Sequence, residues 1–337
     1  TDLDCVCNNG TMFKEKYNKG RFFMPNKQTS KLAQGAMMIA LFTVLLALAF
    51  YVPLVGSIAS IFVALPIMLY SAKYDLSASI VVGIAGCILA LLIGGVLAVP
   101  FALLYIALGI VMGYGIQQKK SKEMLFLSSS VAVLITSAVQ YWASIQLFEI
   151  DFIQDSLKLV KESYTESVAL AKEMTGQEIF TTEQLNLIFD TLEMAVPACI
   201  TIAVFSITFI IMVVNLPILQ RLHVEVPKFA PFRHMRLPKS ILWYYLVILV
   251  VNFVASPEVG DTLYMVTLNI SMILWILLVL QGVSFVHFFV NAKGLPKALA
   301  WFATVLAVPL YSFYVLLGIV DLGFNIRGLV EPKQTKE

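Results

Sequence analysis

Residues 33–146 read AQGAMMIALFTVLLALAFYVPLVGSIASIFVALPIMLYSAKYDLSASIVVGIAGCILALLIGGVLAVPFALLYIALGIVMGYGIQQKKSKEMLFLSSSVAVLITSAVQYWASIQ. This is five apolar segments, near 33–52, 55–72, 77–98, 100–117 and 124–146, parted by very short turns. A run of about 20 apolar residues, rising ~1.5 Å per residue, crosses the ~30 Å hydrocarbon core of a bilayer. The stretch therefore predicts an all-α, polytopic transmembrane helical bundle.

Composition agrees. Of 337 residues, 59% are hydrophobic and 13% charged, with a mean hydropathy of +0.86. Soluble domains carry about 25% charged residues, so a soluble enzyme is excluded; the expected partner is the lipid bilayer, and no nucleic acid. The net charge of +2 matters less than where the charges lie. Lys14, Lys16, Lys19, Arg21, Lys27 and Lys31 precede the first segment. Short basic segments stay in the cytoplasm, which makes residues 1–32 a basic cytoplasmic tail. No apolar signal region occurs before residue 33. Residues 1–23 show no helical pattern, and Met24 looks like a natural start.

Alternation then assigns the rest. Lys73, and later Lys119, Lys120 and Lys122, fall inside. Residues 147–193 fall outside and hold ten acids against three lysines. There Leu157, Val160, Tyr164, Val168 and Ala171 repeat at helical spacing, and Gly176 ends the helix. Thr181 and Gln184 have capping-box spacing, and Leu185, Ile188, Phe189 and Leu192 form a second stripe. This insertion reads either as helices lying on the membrane surface or as a lid over a binding site. Residues 194–320 add four segments, near 194–216, 240–256, 262–290 and 298–319, for about eight to nine spans in all. The loop with Arg221, Lys228, Arg233, Arg236 and Lys239 is again inside. Alternation leaves the tail 321–337 outside, unless one segment is re-entrant or broken near Pro53 or Pro309.

No segment carries Lys or Arg near its centre, where a charge costs ~2.5–3.5 kcal/mol on insertion scales. Neither H-E-x-x-H nor G-x-S-x-G occurs, and there is no phosphate-binding loop. No enzyme, no cofactor and no metal is expected. Cys5 and Cys7 form a lone C-x-C short of the ligands zinc needs, and Cys87 and Cys199 read as small packing residues. Uncharged polar groups remain. Gln140, Trp142, Asn252 and Asn269 lie at similar depth near the outer face and are the candidate ligand-binding residues. The alternative for Asn and Gln is hydrogen bonding between helices, and for Trp the interfacial belt. Asn215 and Gln281 lie near the inner face. Gly109 and Gly113 make a G-x-x-x-G that lets backbones approach. Ala36 and Ala40 form an A-x-x-x-A face for internal packing or for docking a partner helix. Asp321 and Arg327, six residues apart, point to different faces of an ideal helix.

The first-segment alanines, the turns at Pro53 and Pro100, and the glycine-rich run ending LGIVMGYG resemble the S component of energy-coupling factor vitamin transporters. That resemblance implies a ligand cavity near the outer face and a first-helix contact, Ala36 and Ala40, with a coupling subunit served by ATPases. From Met24 onward the chain resembles the YybS-like family of uncharacterised bacterial membrane proteins, through KLAQGAMMIAL (31–41) and LLGIVDLGFNIRGL (316–329). The expectation is a multi-pass protein of the bacterial cell membrane. It binds a small molecule from outside as a transporter subunit, or else serves as a scaffold or regulator without transport activity.

Overall fold

The computed structural model describes residues 27–176, 180–227, 231–324 and 326–330. The tail before Lys27, with Cys5 and Cys7, Lys228 and the last seven residues lie outside the described residues. In chain order the helices are α1 (Lys27–Tyr51), α2 (Pro53–Phe62), α3 (Leu65–Lys73), α4 (Leu76–Gln117), α5 (Lys122–Phe148), α6 (Phe152–Thr175) and α7 (Thr182–Arg221). A short 3₁₀ turn (Phe232–His234) precedes α8 (Ser240–Ala255), α9 (Thr262–Ala292), α10 (Lys297–Leu306), α11 (Tyr311–Phe324) and α12 (Arg327–Val330). No strand occurs among the described residues.

Six of these helical stretches are long and apolar enough to cross a membrane. One of them crosses twice. The helix α4 runs for 42 residues, about 63 Å if straight. It breaks at Gly95, whose φ of 64° and ψ of −160° belong to a region open essentially to glycine alone. Beyond the break it folds back: a Cβ on Gly83 would sit 2.7 Å from Ile106, and one on Gly86 3.5 Å from it. The N-terminal half therefore has the five expected crossings. Packing across it is close where glycine permits. A Cβ on Gly109 would meet Ile67 at 2.8 Å, and one on Gly113 the Met68 carbonyl at 2.5 Å, so the G-x-x-x-G seats the second arm of α4 against α3.

The helix α7 joins the halves, α9 adds another helix long enough to cross, and α8 is a shorter apolar helix of 16 residues beside it. Two separate ends result. At one, Lys31 pairs with Asp75 at 2.7 Å, Gln117 donates to the Tyr74 carbonyl and Lys119 pairs with Glu225. This is the basic end. At the other, Tyr51 donates to the Ile93 carbonyl, Gln140 to that of Pro100 and Gln154 to Glu193. This is the acidic end. There α6 is capped by Asp151, whose carboxylate accepts the Ile153 and Gln154 N–H groups, and is closed by Gly176 at φ 68°. The helix α7 starts with the capping box of Thr181 and Gln184. Tyr164 of α6 packs on Phe180 and Phe189, so the two amphipathic stripes meet each other. No residue of α6 is buried.

The chain's last helices correct the simple alternation. Between α10 and α11 the axis bends by 116° at a break that includes Pro309. Gly282 of α9 and Gly318 of α11 mark a backbone-to-backbone contact, since a Cβ on either would strike the other helix's carbonyls at Tyr314 and Leu278. Contacts of this pair engage the basic-end part of α9, and Arg327 donates to the Arg233 carbonyl at 2.8 Å. Among the described residues, 321–324 and 326–330 thus pack at the basic end and not at the acidic one. Reporters fused after Glu337 and inserted in the 221–239 loop should be accessible from the same side in intact cells, and one at Gly176 from the opposite side. Opposite accessibility of the first two would overturn this ending.

Candidate functional site

The acidic end holds a cleft of about 590 Å³ between four elements. Tyr141 of α5, Gln154 of α6, Asp190, Glu193 and Pro197 of α7, and Met265 of α9 line it. Its walls are fixed by local chemistry. The Tyr141 hydroxyl donates to the Asp151 carboxylate at 3.0 Å, joining α5 to the α6 cap. Gln154 donates to Glu193 at 2.5 Å, joining α6 to α7.

The floor is set by Pro197. A proline inside a helix removes one N–H from the ladder and splays the turn before it. Asn269 of α9 enters that gap. Its amide nitrogen donates to the Met194 carbonyl at 2.7 Å, and its oxygen accepts the Ala198 N–H at 2.7 Å. Both halves of one side-chain amide thus substitute for helix bonds in α7, and α9 is locked beside it.

Of the four candidate residues, Asn269 is a helix-joining group beneath the cleft. Gln140 donates to the Pro100 carbonyl at 3.2 Å and ties α5 to the α4 hairpin. Trp142 is 65% exposed, turned away from the bundle. Asn252 is exposed near the end of α8, where its backbone carbonyl accepts the Ser256 N–H. The four do not share one cavity wall. The polar lining comes instead from Tyr141, between Gln140 and Trp142, and from Asp190 and Glu193 of the acidic insertion. Ala36 and Ala40 lie exposed on α1 beside Met37, Leu41 and Val44, while Gly35, Phe42 and Leu46 face the core. Cys87 is half-buried and Cys199 exposed. Among the described residues no group of His, Cys, Asp and Glu is placed to hold a metal.

The basic end contains a second polar centre. Arg327 and Asp321 pair at 2.8 Å with side chains 1% and 3% exposed. The helix α11 ends at Phe324 and α12 begins at Arg327, so the two residues do not share one continuous helix. Asp321 Oδ2 also accepts from Arg327 Nε at 2.9 Å and from Gln281 at 2.5 Å. Gln281 in turn accepts the Leu237 N–H. The guanidinium reaches Ser284 and the Arg233 carbonyl and lies 5.4 Å over the Phe288 ring. Every partner draws α9, α11, α12 and the 231–239 loop into one knot.

A family model described as "Predicted membrane protein (DUF2232)" matches residues 40–322. The chain is also 29% identical over 311 residues to the uncharacterized protein YybS of Bacillus subtilis (strain 168), covering 90% of this chain and all of that one. No solved structure matches.

Removing one member of a buried ion pair strands the other charge at a cost of about 3–5 kcal/mol. Asp321→Ala or Arg327→Ala should each lower the melting temperature in detergent substantially. The double apolar change Asp321→Leu with Arg327→Met should cost less than either. A double variant as unstable as the sum of the two would contradict the pairing.

Proposed function

The chain belongs to the DUF2232 family of predicted membrane proteins, and on that footing we propose that it is a non-enzymatic, solute-binding subunit of a membrane transporter. The observation that carries this reading is the acidic-end cleft. It lies at a junction of four elements, and such junctions are where small-molecule sites form in helical membrane proteins. The acidic end faces outward from a bacterial cell membrane and the basic end, with the N-terminus, faces the cytoplasm, in keeping with the positive-inside rule. The open face of α1 around Ala36 and Ala40 supports a second element of the reading, contact with a coupling subunit that delivers ATP-derived work. That contact follows the likeness of the N-terminal half to S components of energy-coupling factor transporters.

A scaffold or regulatory role is the other reading. It is favoured by α6, a 24-residue amphipathic helix with no buried residue, which offers a long surface to another protein.

The test is purification from native membranes in mild detergent, with mass spectrometry of everything retained. A co-purifying ATPase with a coupling subunit, or a retained metabolite, supports the transporter reading. Ala36→Leu with Ala40→Leu should then release the partner while the melting temperature stays unchanged. Asp190→Ala with Glu193→Ala should reduce retention of the metabolite. Stoichiometric recovery of a cell-envelope protein without either would replace this reading by the scaffold.

A further inference from the structure

A second proline marks a different place in the bundle, within the span formed by α2 and α3. Pro66 has no N–H, so the Phe62 carbonyl loses its helical donor. The span breaks between Phe62 and Leu65. Asn215 of α7 reaches this break, and its amide nitrogen donates to the Ile61 carbonyl at 2.8 Å. Its amide oxygen is fully buried and has no hydrogen-bond partner among the described residues. Asn269 beside Pro197 uses both ends of its amide, whereas Asn215 uses one. A buried acceptor left without a partner is costly and calls for one.

Further oxygens surround the same break. Ser60 is the residue before Ile61; its hydroxyl donates to the Ser57 carbonyl at 2.8 Å and keeps its acceptor side free, and the Tyr105 side chain from the second arm of α4 lies beside it. Ser57, one turn earlier, is exposed toward the acidic end, Ser60 and Tyr105 are half-buried, and Asn215 is sealed. A line of neutral oxygens thus descends from the surface into the bundle. None of these groups carries a charge.

We propose that the α2–α3 break is a binding site for a monovalent metal cation of sodium size, held by Asn215 Oδ1, the Phe62 carbonyl and the hydroxyls of Ser60 and Tyr105. Broken membrane helices present unwound carbonyls that coordinate such ions. The set contains acceptors in excess of donors, which a cation satisfies. Without a carboxylate it does not offset the charge of a divalent ion, whose sites are built on Asp and Glu. The site is separate from the acidic-end cleft and stands or falls independently of it.

The experiment is thermal unfolding of the purified protein in sodium, lithium, potassium or choline chloride at equal ionic strength. A saturable rise of the melting temperature with an alkali cation over choline is the expected result. Tyr105→Phe keeps the ring and removes one ligand, and should raise the half-saturating cation concentration about tenfold. Asn215→Ala should abolish the cation-dependent rise. If that variant does not fold, Tyr105→Phe decides alone. Asn215→Asp should keep the rise. Identical melting in all four salts would overturn the proposal and leave the orphaned oxygen to internal water, as would a full cation response in Tyr105→Phe.

Discussion

Two asparagine side chains, each inserted at a proline-broken turn of a neighbouring helix, hold this bundle in one arrangement. In hydrocarbon the backbone groups of a turn splayed by proline have no water to turn to. The gap must be closed by another helix, and whichever helix closes it is thereby fixed in place. Asn269 closes α7 at Pro197, and Asn215 of α7 reaches the break above Pro66. The helix α7 is therefore repaired by the C-terminal half and itself repairs the N-terminal half. Aromatic contacts of Phe126 with Phe205 and Phe209 reinforce the second joint. The acidic-end cleft lies immediately above the first joint, so its shape is tied to the same proline.

Much of this was legible in the sequence because bilayer crossing has a length requirement that composition reveals. The five early segments, the helical stripes of 147–193, the Gly176 stop and the Thr181–Gln184 cap each follow from local chemistry. The use of Gly109 and Gly113 for close packing follows too. Less legible was the work done by single polar residues. Asn269 has the depth of a cavity-lining group, but its partner is backbone exposed by a proline 72 positions earlier, a relation that helical periodicity does not encode. Tyr141 was hidden between two more conspicuous neighbours. Its role depends on the direction of the Asp151 cap, which only the turn at Glu149, in a left-handed conformation at φ 55°, determines.

The ending of the chain illustrates a different limit. Alternation counts apolar runs, and 298–319 is one run by composition. Geometry divides it, because the bend at 307–310 turns α11 across α9 at the Gly282–Gly318 contact. Once α11 stops at Phe324, Asp321 and Arg327 are free of helical spacing and meet. Burying this pair is tolerable because Gln281, Ser284 and the Arg233 carbonyl complete its hydrogen bonds; without them desolvation would exceed the attraction.

The helix α8 has 16 residues and so reaches about 24 Å. The hydrocarbon beside it is ~30 Å thick on average, and each ångström of mismatch costs a fraction of a kcal/mol. The other spans meet that thickness, so the mismatch falls on one flank of the molecule. A span this short is accommodated by thinner lipid, by flanking side chains reaching to the interface or by association with another helix. Whichever of these operates, it acts on the α8 flank and not around the N-terminal half, so the two sides of the molecule present unequal apolar heights to their surroundings.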